Sequence, residues 1–155
     1  MTPHALVIGL GQPAAGDDGV GVAVIVRLRA EGDVEGVAYE TVAEASSLVE
    51  RLQTGVPVII VDALVGGGKP GDVVVLDSEL VAGDARPLST HGISVAQAIS
   101  LARAFAPESV SAMVRVIGVV IETPTVGQTA LSGPVAAAVP RACAKIHELL
   151  REVMN

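Results

Sequence analysis

The chain contains no tryptophan, and Tyr39 and Phe105 are its only aromatic residues. A core without rings has to be built from Val, Ile, Leu and Ala. Val and Ile favour strands while Ala and Leu favour helices, so a mixed fold is expected. The same scarcity leaves almost no ring faces on which bases could stack. Positive charge is also short: Lys and Arg number 10 against 17 Asp and Glu, a net charge of -7. Such a surface repels phosphate backbones and anionic lipid, so neither nucleic acid nor a membrane is expected as a partner. No apolar run approaches the length of a membrane span. The N-terminus lacks a basic region followed by an apolar core, so no secretory signal is read there. The single cysteine, Cys143, excludes an internal disulfide and any multi-cysteine metal site. It falls within the apolar pattern of the last helix, as a buried, inert thiol would. A cytoplasmic protein is expected. At 155 residues the chain reads as one domain, 1–155, long enough to bury a core.

What the chain has in quantity is glycine, and its densest functional pattern is Gly9-Leu10-Gly11-Gln12-Pro13-Ala14-Ala15-Gly16-Asp17-Asp18-Gly19-Val20-Gly21. An apolar run leads in and a helix-like run leads out. Strand, glycine turn, helix is an arrangement that often holds phosphate. Gly9-x-Gly11-x-x-Ala14 has the dinucleotide spacing and Gly11-x-x-x-x-Gly16 the P-loop spacing. Neither has matching chemistry. A P-loop continues with Lys and then Ser or Thr, whereas Asp17 and Asp18 stand here. Two carboxylates repel an anion and suit a cation. Their plain alternative is helix capping, for which one Asp suffices.

Along the chain, Ala5–Leu10 reads as a buried strand and 18–31 as a helix with Val20, Val24 and Leu28 on one face. Residues 37–42 read as a second strand and 46–52 as a short helix. The run 56–62, ending at Asp62, is continuously apolar, as a central parallel strand covered on both faces should be. Gly66-Gly67-Gly68 opens a turn expected to be mobile and to border the ligand cleft. Residues 72–76 read as a strand antiparallel to its neighbour, because the connection is too short for a helical crossover. After an irregular stretch, 79–87, a helix is expected over 94–105, a strand over 113–121 and a long helix from about 131 to 154. Pro140 should kink or split that last helix. The alternation predicts a three-layer α/β sandwich, with a mostly parallel, twisted sheet of about five strands and helices on both faces.

Ligands in such folds collect beyond the C-terminal ends of the strands. Asp17 and Asp18 follow the first strand, Asp62 ends the third, and His91 precedes a helix. Asp18, Asp62 and His91 make two carboxylates and an imidazole, a set that suits zinc, nickel or iron and leaves positions open for substrate or water. Singly, each has a plain explanation as a cap or a polar helix start. His4 and His147 read as surface residues, and Glu122 as a supporting residue at the same edge. Ser89 and Ser132 lack the frame of a nucleophile elbow, which argues against a serine hydrolase.

These segments together resemble the hydrogenase maturation endopeptidases, which process the large subunit of nickel–iron hydrogenases. Gly9-Leu10-Gly11 with Gly16-Asp17-Asp18-Gly19-Val20-Gly21 resembles the family's signature. Ile59-Ile60-Val61-Asp62-Ala63-Leu64 resembles the strand carrying its second ligand, and Ser89-Thr90-His91 the segment carrying its histidine. Ile117-Gly118-Val119, then Leu131-Ser132 with Pro134-Val135, resemble its last strand and helix. The resemblance covers nearly the whole chain. It implies that Asp18, Asp62 and His91 bind metal and serve catalysis in an aspartic-type endopeptidase. The partner implied is a hydrogenase large-subunit precursor whose own nickel is probed before a C-terminal extension is removed; zinc or cadmium would substitute in crystals. Asp17 stands beside the set as a base or a cap. Two departures bear on substrate choice. Gln12 replaces a common Asn, and Tyr39-Glu40-Thr41-Val42-Ala43-Glu44 stands where an Asp-Gly-Gly-Thr-like segment is usual, leaving open whether Glu40 or Glu44 supplies its acid. Two other readings compete: a non-catalytic metal-sensing assembly chaperone, and a nucleotide-binding module on Gly9-x-Gly11-x-x-Ala14.

Overall fold

The structure is a computed structural model that describes residues 2–13, 15–77 and 94–154. The expectations for 79–87, Ser89 and His91 lie outside the described residues.

Five strands form one sheet: β1 (Ala5–Leu10), β2 (Val37–Val42), β3 (Val58–Val65), β4 (Val73–Asp77) and β5 (Val114–Ile121). Their spatial order is β2-β1-β3-β5-β4. All neighbours are parallel except β4, which runs antiparallel to β5. The antiparallel direction of β4 is as expected, but β5, not β3, lies beside it. The helices are α1 (Val20–Glu31), the single turn α2 (Leu48–Arg51), α3 (Val95–Phe105) and α4 (Gly133–Met154).

Alternation along the strands sorts the core into two layers. Val7, Ile59, Val61, Ile117 and Val119 point to one face, where Val24, Ile25 and Leu28 of α1 and Val135, Ala138 and Ile146 of α4 cover them. Leu6, Ile8, Val58, Ile60 and Val116 point to the other, under Leu48, Leu52 and α3. Helix α3 buries Val95, Ala98, Ile99 and Ala102, the i, i+3, i+4, i+7 stripe of an amphipathic helix. Its start is fixed by a capping box: Gln97 N–H donates to Ser94 Oγ at 3.2 Å, and Ser94 N–H to Gln97 Oε1 at 2.8 Å. Cys143 is buried and donates weakly to the Val24 carbonyl at 3.8 Å. Burial pushes its thiol up to about 11, which makes it inert as the sequence suggested.

Three expectations need correction. Of the two outcomes expected at Pro140, a kink or a split, the split is absent: α4 runs as one helix over Gly133–Met154. Pro140 and Ala136, whose carbonyl loses its donor, are both exposed, so water takes up the freed acceptor while the buried stripe holds the helix on either side. The segment expected as a helix over 46–52 is a run of 3-10 turn, one α turn and 3-10 turn. Strand β3 starts at Val58 and continues to Val65, so Asp62 is the fifth of its eight residues and not its end.

Helix α1 approaches the sheet so closely that side chains are excluded. A Cβ on Gly21 would lie 2.6 Å from the Val61 carbonyl oxygen and closer still to that of Leu10. A Cβ on Gly9 would collide with the Gly21 backbone and lie 2.6 Å from Ile25 Cγ1. On propensity alone, Gly21→Ala inside a helix should stabilise by about 1 kcal/mol. Here the new methyl meets backbone that cannot move aside, and overpacking of this kind costs about 1–3 kcal/mol. Urea denaturation of Gly21→Ala should therefore show a net loss of stability. A gain would mean that the helix slides outward without cost.

Candidate functional site

The chain leaves β1 for β2 on one side and later returns to β3 on the other. Between the C-terminal ends of β1 and β3 the direction of winding reverses, which is where open α/β sheets open a crevice. The glycine-rich stretch lies there. Gly11, at φ 138, turns the chain off β1, and its N–H donates to the Val42 carbonyl at 3.0 Å. A 3-10 turn follows over Gly16–Gly19, and α1 begins only at Val20. The helix expected from residue 18 thus starts two residues later. The glycines are used for internal packing: a Cβ on Gly11 would collide with the Asp18 carbonyl, and one on Gly19 would lie 2.8 Å from that of Gln12. The space a phosphate would need beside Gly11 is filled by the chain's own turn, which disfavours the nucleotide reading.

The two aspartates of the turn have different fates. Asp17 is 5% exposed. It accepts hydrogen bonds from Ser132 N–H at 2.7 Å and Ser132 Oγ–H at 2.9 Å. Neither the 3-10 turn nor α1 has a side-chain cap, so capping of the following helix is not its role. It closes the start of α4 instead, since the Ser132 carbonyl accepts from Ala136 N–H at 2.8 Å. A buried carboxylate held by two donors is an anchor for the segment it grips. Asp18 is exposed.

Asp62 projects from β3 opposite Gly118 of β5, one residue beyond the last β1 pair, Gly9 with Val61. It is partly buried, and its Oδ1 accepts from Ala63 N–H at 2.8 Å. Loss of solvent raises its pKa to about 7; the Ala63 bond opposes the rise and the negative charge of Asp18 adds to it. The charge of Asp18 therefore reaches Asp62 at this end of the sheet. His91 lies outside the described residues, and among the described residues no three His, Cys, Asp or Glu side chains gather as a metal site.

The remaining candidates separate by position. Glu40 sits mid-strand opposite Ile8 and is paired with Arg51 Nε at 3.3 Å. Glu44 is exposed beyond the C-terminal end of β2, on the edge that carries Asp18. Glu122 is exposed just after β5. His4 is exposed, and His147 Nε2 lies 3.1 Å from Glu31 Oε2 on the outer surface. Gly66 and Gly67 both adopt φ 83 and are exposed. From Lys69 onward the same loop is tied down: Lys69 N–H donates to Asp72 Oδ2 at 2.9 Å, Gly71 N–H to the Val120 carbonyl at 2.8 Å, and Arg141 Nη2 to the Gly71 carbonyl at 2.8 Å. Sequence reasoning missed the Asp17–Ser132 clasp. The cue was a Ser just before a helix start, which asks for an acceptor near its N–H.

Residues 40–149 match the family model HycI, hydrogenase maturation protease, which includes Asp62 and begins after Asp18. The chain is similar in structure to the hydrogenase maturating endopeptidase HybD from E. coli, with 23% identity, a TM-score of 0.79, and 96% of this chain and 93% of that chain covered. It is likewise similar to the [NiFe] hydrogenase maturation protease HycI from Thermococcus kodakarensis KOD1, with 23% identity, a TM-score of 0.74, and 97% and 93% covered. No curated protein sequence matches the chain.

Two outcomes follow from this geometry. Asp17→Ala should cost about 2–4 kcal/mol, because two charge-assisted bonds are lost and the Ser132 N–H is left without its acceptor. Asp17→Asn should lose markedly less, since the amide oxygen still accepts that N–H; equal losses by urea denaturation would mean the clasp depends on charge alone. For Asp62 the sign is set by its raised pKa. Between about pH 4, where the unfolded side chain ionises, and about 7, the folded state holds a proton that the unfolded state has released. Stability contributed at Asp62 therefore falls as pH rises through that window. Asp62→Asn removes the dependence, so the variant and the wild type should melt together near pH 4. By pH 8 the variant should melt higher, by about 2–4 °C for each kcal/mol relieved. A melting difference that does not change with pH would show that Asp62 ionises normally.

Proposed function

The chain belongs to the hydrogenase maturation protease family, and from that premise we propose that it removes the C-terminal extension of a nickel–iron hydrogenase large-subunit precursor after nickel has been inserted. It is a peptidase by family. The finer reading adds that Asp18, Asp62 and His91 recognise nickel, which the precursor brings as part of the substrate. The observation that supports this reading is the electrostatic influence of Asp18 on the partly buried Asp62, both placed at the carboxyl ends of β1 and β3. Two carboxylates in proximity repel each other, and a partly buried one is poorly solvated; a divalent cation offsets both costs. A precursor carrying nickel is therefore favoured at this crevice over one without it, and the preference sorts finished from unfinished substrate. His91 would add a neutral nitrogen donor of the kind that nickel accepts. Held by these groups, the cation would bring the nearby peptide bond to the crevice, where it can polarise the scissile carbonyl toward water.

The test is incubation of a hydrogenase precursor, prepared with and without nickel, with the wild-type protein and with Asp62→Asn. Only the nickel-loaded precursor should lose mass from its C-terminus. Asp62→Asn keeps the side-chain shape and should slow the cut by at least about 100-fold, as loss of a charged metal contact does. Equal cutting of both precursors by the wild type, or full activity in the variant, overturns the nickel reading.

A further inference from the structure

Strand β3 outruns its neighbour β1. The β1–β3 register ends at Gly9 with Val61, while β3 stays paired with β5 as far as Val65 with Ile121. Along a parallel strand, successive residues direct their backbone groups to opposite sides. Val58 N–H donates to the Met113 carbonyl on the β5 side, and the Pro57 carbonyl accepts from Leu6 N–H on the β1 side. By that alternation Asp62 and Leu64 face β5, and Ala63 and Val65 face the side that β1 has left. The Ala63 N–H is taken by the Asp62 carboxylate. The β1 register has ended at Val61, so the Ala63 carbonyl and the Val65 N–H have no β1 residue opposite them. Val65 is 52% exposed.

We propose that Ala63–Val65 binds the C-terminal segment of the precursor as an added strand, in the place alongside β3 that β1 vacates. The proposal rests on the endopeptidase reading above and names where its substrate lies. An extended peptide needs its backbone groups satisfied as it leaves water, and an open strand edge supplies donors and acceptors at the matching spacing. The open stretch is short, so it holds the peptide through one or two bonds, which suits a product that has to leave. Val65 lies three residues beyond Asp62, about 10 Å along the strand. A peptide bonded there passes the carboxylates about three residues from its anchor. With Asp18 and Asp62 alongside and a net charge of -7, the edge accepts a neutral or basic segment and repels an acidic one.

Two measurements on the full chain test this. Val65→Pro removes the donor that faces the open side and leaves the β5 ladder untouched, a placement proline tolerates; Val65→Ala keeps the donor and trims the side chain. With nickel-loaded precursor, Val65→Pro should raise KM about tenfold, the worth of one hydrogen bond, with kcat within about twofold, and Val65→Ala, which keeps the donor, should raise KM several-fold less than Val65→Pro. In parallel, hydrogen exchange of the Val65 amide should slow at least tenfold when precursor is bound. Cutting with an unchanged KM in Val65→Pro, or bound precursor without protection of Val65, overturns the added strand and leaves the protease reading standing. Protection without cutting upholds the strand and counts against the proposed reaction. A precursor that neither binds nor is cut overturns both. Protection that grows with protein concentration alone assigns the edge to a second copy and also overturns the proposal.

Discussion

Everything at the crevice depends on how near helix α1 comes to the carboxyl ends of β1 and β3. Gly9 and Gly21 let backbone meet backbone where any Cβ would collide. That approach draws the 3-10 turn over Gly16–Gly19 down onto the sheet, and so delivers Asp18 to within electrostatic reach of Asp62. A helix displaced by one methyl group would separate the two carboxylates. The glycines therefore act through packing, and the charges follow from it.

The second determinant is unequal strand length. Were β1 as long as β3, its backbone would cover the far half of β3, where Ala63 and Val65 face the side that β1 leaves. Because β1 turns away at Gly11 toward β2, Asp62 lies one residue beyond the last β1–β3 pair. This accounts for a carboxylate that is partly buried and poorly solvated without a cationic side chain bonded to it among the described residues. A carboxylate so placed is costly, because its charged form is poorly solvated.

Much of the fold could be read from the chain. Continuous apolar runs marked β1, β3 and β5 because strands covered on both faces have no solvent side to encode. The helix expected over 94–105 is α3, whose Ser94–Gln97 box was not read from the sequence. Other features are not local. The insertion of β5 between β3 and β4 depends on a pairing across some 40 residues, which no short-range pattern records. The end of β3 was misplaced at Asp62 because a charge ordinarily closes an apolar run, yet Ala63–Val65 stay bound to β5 on one side. Asp18 and Asp62 were legible as candidates from their place after strands. Asp17 was misread, since its partner Ser132 is 115 positions away.

That distance has a consequence for when the crevice comes into being. The turn that carries Asp18 is fastened through Asp17 to a serine at the threshold of the final helix. During synthesis the turn emerges with that carboxylate unclasped, and it stays so until the segment around Ser132, 115 positions later, has been made. Contacts so far apart in sequence form late and close loops at an entropic cost. A turn fastened in this way is held only once the segment that opens α4 has joined the sheet.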